Sequence, residues 1–323
     1  MRLMALILSL ALTTAAPAMA QQQMVDPDFR PTVERPAYAA GQGPVVAIDE
    51  AHANFHRIEG QYAPFAALLA ADGYRVRAGT QAFDSGGLEG VDVMVIANAG
   101  ATGQRPTPPA FTGAEGAALE AWVRGGGRLL LIADHAPFGA AAEGLAARFG
   151  VRMGAGYAFT MPDELNLTTT LTWTADRLGA HPIIAGRGDD EQVESVTAFT
   201  GQSLEGPPGA AVLLPMPAGS RESPDVPTLQ ALADRLQQAG ETGMGAEAAI
   251  AELSKPALPA QGLAFDYGQG RVVVLGEAGM LSAQLVRYPP ESGQPDRRFG
   301  MNAAPGNARF GLNILPWLTG LLP

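Results

Sequence analysis

From residue 44 the chain alternates short apolar runs with longer segments of helical periodicity. "VVAID" (45–49) is a run that ends in an acid. "YAPFAALLAADGY" (62–74) sets Phe65, Leu68 and Leu69 on one helical face and closes on Asp72-Gly73, a helix stop. "RVRAG" (75–79) predicts a second strand, and "VDVMVIANAG" (91–100) a third that is apolar on both faces. Thr112 and Glu115 have capping-box spacing ahead of a helix in "GAEGAALEAWVRGGG". "RLLLIADH" (128–135) is the strongest strand, followed by the helix "AAAEGLAARFG", which Gly150 stops. Uniformly apolar strands separated by single helices predict a mostly parallel sheet covered on both sides. With short right-handed crossovers, the expected fold class is α/β, a three-layer doubly wound sandwich.

The rhythm breaks between about 154 and 260. "LNLTTTLTW" reads as an edge or antiparallel strand, "AVLLPMP" as another, and "PTLQALADRLQQAG" as a helix. Frequent Gly and Pro between them suggest an elaboration of one domain spanning 44–323. The α/β pattern then returns. "GLAFDYGQGRVVVLGEAG" (262–279) predicts two strands joined by a glycine-containing turn, and "NARFGLNILPWLTGLL" a closing amphipathic helix that Pro316 could bend.

The first 43 residues change the picture of where the protein works. Arg2, the apolar run Leu3–Leu12 and Ala18-Met19-Ala20 have the layout of a signal peptide cleaved after Ala20. Residues 21–43 read as an extended, proline-bearing lead-in. The expectation is a periplasmic or secreted protein with no membrane span in its mature form. Cysteine is absent, which excludes disulfides, thiolate nucleophiles and thiolate metal sites. Net charge is −11 and Lys255 is the sole lysine among 21 basic residues, so a nucleic-acid partner is not expected.

"PVVAIDEAHANFH" (44–56) contains the letters of a DEAH-box ATPase. Such a box needs a phosphate loop, G-x-x-x-x-G-K-[ST], and the only lysine sits in "AELSKPAL" without one. A G-x-G-x-x-G after a strand and a G-x-S-x-G elbow are also missing; "GQSLEG" has Glu205 in place of the last glycine.

Ligands of open α/β sheets bind at the carboxyl ends of the strands. The predicted ends carry Asp49 and Glu50, followed by His52, Asn54 and His56; then Asn98; then Asp134 and His135; and late in the chain Glu277. Three of the four histidines fall on two of these ends. Asp49, Asn54 and Asp134 could equally cap turns, His56 could be a solvated loop residue, and His181 before a proline reads as structural. Two chemistries suit the set. His52 or His135 could serve as general acid or base oriented by Asp49, Asp134 or Glu277, with Glu50, Asn54 and Asn98 binding a small-molecule or carbohydrate ligand. Alternatively His52, His56 and His135 could hold a divalent metal that activates water; no cofactor is strictly required.

The order of "DEAH-x-N", helix, two strands, helix, "GGGRLLLIADH", helix, then "GQGRVVVLGEAGMLSAQL" and "N-x-x-F-x-x-N-x-x-x-WL" resembles exported bacterial proteins with a class I glutamine amidotransferase-like fold, distantly ThuA-like. The resemblance spans about 44–153 and 260–322. It implies a pocket at the fourth strand's elbow, where true amidotransferases carry cysteine. Here the elbow reads Ala133-Asp134-His135, so cysteine-dependent glutamine hydrolysis is excluded. What remains is an uncharacterised function: a hydrolase of a small or carbohydrate-like substrate, or a non-catalytic periplasmic binding or scaffold module.

Overall fold

The computed structural model describes residues 22–104 and 106–323, so the expected signal segment 1–20 lies outside the described residues. The backbone is built on a large mixed sheet flanked by helices. Its strands are β1 (Val45–Asp49), β2 (Arg75–Gly79), β3 (Val93–Ala97), β4 (Arg128–Ile132), β5 (Ala211–Pro215), β6 (Ala260–Tyr267) and β7 (Gly270–Leu275). The spatial order is β2-β1-β3-β4-β7-β6, parallel from β2 through β7 and antiparallel at β6. The chain moves outward from β1 to β2, then crosses back to β3 and on to β4. This reversal places a crevice above the carboxyl ends of β1 and β3.

The two faces of the sheet explain the apolar runs. Val46 and Ile48, Val95 and Ala97, Leu130 and Ile132, Val273 and Leu275 pack into one core with α1 (Ala63–Ala71) and the C-terminal helix. The alternate residues Ala47, Met94, Ile96, Leu129, Leu131, Val272 and Val274 pack into another with α2 (Gly113–Arg124) and α3 (Phe138–Arg148). Each fully buried Val, Leu or Ile contributes about 1.5–3 kcal/mol, so burial on both faces overrides the period-2 pattern of a half-exposed strand. Helix α2 opens on the expected capping box, with the Thr112 hydroxyl accepting from Glu115 N–H and the Glu115 carboxylate accepting from Thr112 N–H.

Part of the region 154–260 joins the main sheet, and the rest forms small sheets of its own. Strand β5 pairs with β6, and the short strand Leu204–Glu205 bridges Ala260 and Met153. "LNLTTTLTW" contributes only Leu171–Thr174, paired antiparallel with Ser195–Ala198. Two helices follow, α4 (Val226–Thr242) and α5 (Ala246–Leu253), of which the sequence reading found only the first. They share a satellite core of Phe159, Leu232, Leu236 and Ala249.

The lead-in also takes part in a sheet. Gln22–Val25 pairs antiparallel with β8 (Ala283–Arg287), which pairs in turn with β9 (Arg297–Gly300). Four residues of mixed polarity show no periodicity, so only their partner defines this strand. The chain ends in α6 (Pro305–Leu318), which carries Pro316 within it. No helix among the described residues is long and apolar enough to cross a membrane.

Candidate functional site

The segment after β1 divides the candidate residues into two groups. Asp49 ends the strand fully buried and accepts from the N–H of Ala51 and from the Asn54 amide at 2.9 Å. Asn54 Oδ1 accepts the His52 N–H at 3.0 Å, and Ala53 lies at φ 50°. The segment is therefore a tight Asn-stabilised turn. The i, i+4 spacing of His52 and His56 consequently does not lie on a helix, which removes the geometry that would let both hold one ion.

His52 is saturated. Its Nδ1 lies 2.9 and 2.8 Å from the two Asp49 oxygens, and its Nε2 lies 2.8 Å from Glu115 Oε1. The ring packs against Phe83 and Phe111, with centroids at 4.5 and 4.7 Å, and these two rings stack on each other at 5.8 Å. Burial works against charge on this imidazole. The hydrogen bonds and charges of Asp49 and then Glu115 outweigh burial and raise its pKa above the usual value. Glu115 thus has a second role beyond its cap, invisible in sequence because capping alone accounts for it. Glu50 is likewise occupied, accepting from the Arg57 guanidinium and from Ile58 N–H.

The second group lines a cavity of about 530 Å³ above the sheet: His56, Asn98, Asp134, His135 and Glu277. His52, Asp49, Glu50 and Asn54 do not line it. Strand β3 delivers Asn98, held at φ 49° with its N–H on the Ile132 carbonyl and its own carbonyl accepting from Phe55 N–H. Asparagine tolerates this left-handed conformation better than most residues. Its side-chain Oδ1 accepts the Asp134 N–H at 2.8 Å, which fixes the amide orientation. The amide nitrogen, 3.2 Å from His56 Nδ1, must then donate to it. The His56 proton accordingly resides on Nε2, a buried donor with no partner in the structure. Burial, and then the charge of His135, hold the His56 pKa down at about 3, so the ring is neutral.

Asp134 and Glu277 close the neighbouring parallel strands β4 and β7 and form the cavity floor. Asp134 Oδ1 accepts from His135 N–H at 2.8 Å and Oδ2 from Ala278 N–H at 3.4 Å. Glu277 accepts from Met280 N–H at 2.6 Å, with further donation from the Phe199 and Gly279 amides. A Cβ at Gly279 would fall 2.6 Å from Glu277 Oε1, so glycine is what lets the backbone come this near. Burial pushes the Asp134 carboxyl up, despite the charge and N–H of His135. Burial and then the charge of Asp134 push Glu277 well above the carboxylate range. Two coupled carboxyls in one dry floor resist double ionisation and so retain a proton between them. Tyr62, fully buried with its hydroxyl on the Ala278 carbonyl at 3.1 Å, is pushed up by burial and then by both acids.

His135 stands at the wall, its side chain a quarter exposed at 26%. It stacks on Tyr157 at 4.3 Å and sends Nδ1 to the Ala136 carbonyl at 2.8 Å. A carbonyl only accepts, so Nδ1 donates to it; Nε2 lies 4.0 Å from Asp134 Oδ1 and carries a lone pair when the ring is neutral. The opposite wall was not legible in sequence: Thr169, Thr170 and Phe199 from the elaboration, and Gln284, Tyr288 and Arg297 around β8 and β9. No strand-end rule reaches these residues, because they arrive from the small sheets. Among the described residues, no group of three His, Asp or Glu side chains is arranged to hold a metal.

No protein-family model and no curated protein matches the sequence. Solved structures do match. The mmIFT52 N-terminal domain is similar at a TM-score of 0.52 and 12% identity, covering 85% of this chain and 97% of that one. The likeness is one of fold. Two further structures score lower: a ThuA-like protein from Bacteroides uniformis ATCC 8492 (TM-score 0.42, 13% identity, 87% of this chain and 93% of that one) and the cytoplasmic protein STM1381 from Salmonella typhimurium LT2 (0.43, 13%, 85% and 98%). At these identities none of the three bears on chemistry.

Proposed function

We propose that this chain is an exported hydrolase of a small polar, carbohydrate-sized substrate, built on an amidotransferase-like layering whose thiol elbow has been replaced by an acid and an imidazole. The observation that carries the reading is the pair Asp134 and Glu277, both buried in the floor of one cavity beside the partly exposed imidazole of His135. Acid–base hydrolysis needs one group that holds a proton at neutral pH and another that can accept one. The carboxyl pair holds the proton, and His135 Nε2 accepts one from water. The apolar run and A-x-A of residues 1–20 support export, and the sheet entries of β5 and Leu204–Glu205 support one domain over 44–323 with its elaboration at 154–260.

A panel of chromogenic nitrophenyl esters and glycosides tests the reading. At least one should be cleaved above the uncatalysed rate, with kcat falling roughly 100-fold in His135→Ala and in Asp134→Asn. Turnover unchanged in both variants would overturn it.

A second reading, a binding module without chemistry, is favoured by the backbone amides that clamp Glu277 as an acceptor. It expects ligand affinity with no turnover in any member of the panel.

A further inference from the structure

We propose that the ligand of this cavity is a small organic anion, held at its charged end by Arg297 and at an uncharged acceptor oxygen by the Nε2–H of His56. The proposal rests on the reading of the cavity as a ligand site and specifies what enters it.

Two independent features carry it. The first is the orphaned donor. His56 is 97% buried by its 3% exposure, and its Nε2 has no hydrogen-bond partner although it belongs to a cavity-lining residue. An unpaired buried N–H costs about 1–3 kcal/mol, and native interiors leave few of them. The chain Asp134 N–H to Asn98 Oδ1, then Asn98 Nδ2 to His56 Nδ1, fixes that nitrogen as a donor and not an acceptor. The group it awaits must therefore bring a lone pair: a hydroxyl, carbonyl or carboxylate oxygen.

The second feature is the charge at the mouth. Three arginines lie on or beside β8 and β9. Arg287 pairs with Asp296, and Arg298 with Asp26 at 2.8 Å. Arg297 lines the cavity, and its side chain makes no hydrogen bond or ion pair among the described residues, its backbone alone being paired in β9. An unopposed guanidinium on a chain of net charge −11 is a local exception, and its fork geometry suits a carboxylate or phosphate. A proton shared by the carboxyl pair leaves at most one negative charge on the floor, which Arg297 at the mouth opposes. A cavity of about 530 Å³ spans more than a single carboxylate, so one ligand can reach both ends.

Titration calorimetry of the full mature chain with matched pairs tests this: glucuronate against glucose, galacturonate against galactose, glycerate against glycerol. At least one acid should bind about tenfold more tightly than its neutral twin, the worth of a charged hydrogen bond. Arg297→Gln, an exposed substitution that leaves the core intact, should erase that difference without weakening the neutral twin. His56→Phe keeps the ring volume and removes the donor, and should weaken acid and twin alike by about tenfold, with thermal melting as the check of folding. Equal binding of acids and twins by the unaltered chain overturns the anion assignment while leaving the cavity reading standing. Discrimination that survives in Arg297→Gln overturns the role of that residue. Silence across the panel in the millimolar range sinks the organic-anion assignment, and the cavity reading then depends on the hydrolysis assay alone.

Discussion

Three residues separate His52 from His56, and both histidines are buried, at 8% and 3% exposure. The first has a carboxylate on each nitrogen and two aromatic rings packed against it. The second, a residue that lines the cavity, has one nitrogen satisfied by Asn98 and one buried without a partner. Burial alone therefore says little about use. A fully satisfied polar knot holds a turn in place, whereas an unsatisfied donor that the fold has taken care to orient is waiting for something.

The sharpest way to break this contrast is through stability. Removing His52 leaves Asp49 and Glu115 as buried acids without their shared counter-ion. His52→Ala should cost about 3 kcal/mol in urea unfolding, against about 1 kcal/mol for His56→Phe, which leaves one amide of Asn98 unpaired. Equal losses would erase the distinction between knot and site.

The pH dependences should run in opposite directions. The folded pKa of His52 is raised, so its contribution is complete below the unfolded value of about 6.5 and is lost as pH rises through the folded pKa. The folded pKa of His56 is lowered to about 3, so its contribution is present above the unfolded value and fades as pH falls from there toward 3. Each can contribute up to one proton, a slope of about 1.4 kcal/mol per pH unit. Unfolding free energies of the two variants minus those of the unaltered chain, measured from pH 4 to about pH 8, should show differences on opposite limbs. Both differences on the same limb would mean that the assigned protonation states are wrong.

The smallest effect should come from the surface of the same loop. Arg57 meets Glu50 at 2.9 Å with its own side chain 61% exposed. Arg57→Ala should shift stability by less than about 1 kcal/mol, because water screens such pairs. A larger loss would show that the turn depends on its exterior and not on the His52 knot.

The sheet was legible because burial on both faces writes itself into continuous apolar runs such as "RLLLIADH". The strand ends then supplied Asp134, His135, Asn98 and Glu277 as neighbours, and the structure places them around one cavity with His56. The exclusion of His52 from the cavity was not legible. Its partner Glu115 lies 63 residues away and its capping spacing gave a complete account of that glutamate. Arg297 was hidden for a related reason. Strands of four or five residues such as β8 and β9 carry little periodicity, and only pairing reveals which of their side chains meet the pocket. The metal reading drew on a helical spacing that the Asn54 turn replaces.

The cavity wall also has a history within the lifetime of each molecule. Gln23, which lines the cavity, donates to Gln284 at 2.7 Å across a sequence separation of 261. Almost the first described residue must therefore wait for β8 before it has a partner. As the chain is made from its amino terminus, β1, β2 and β3 have their sheet partners long before this wall exists. Half of the scaffold is an early product of synthesis and the enclosed site a late one, so an incomplete chain can own Asp134 without yet owning Glu277 or the chamber that makes the pair useful.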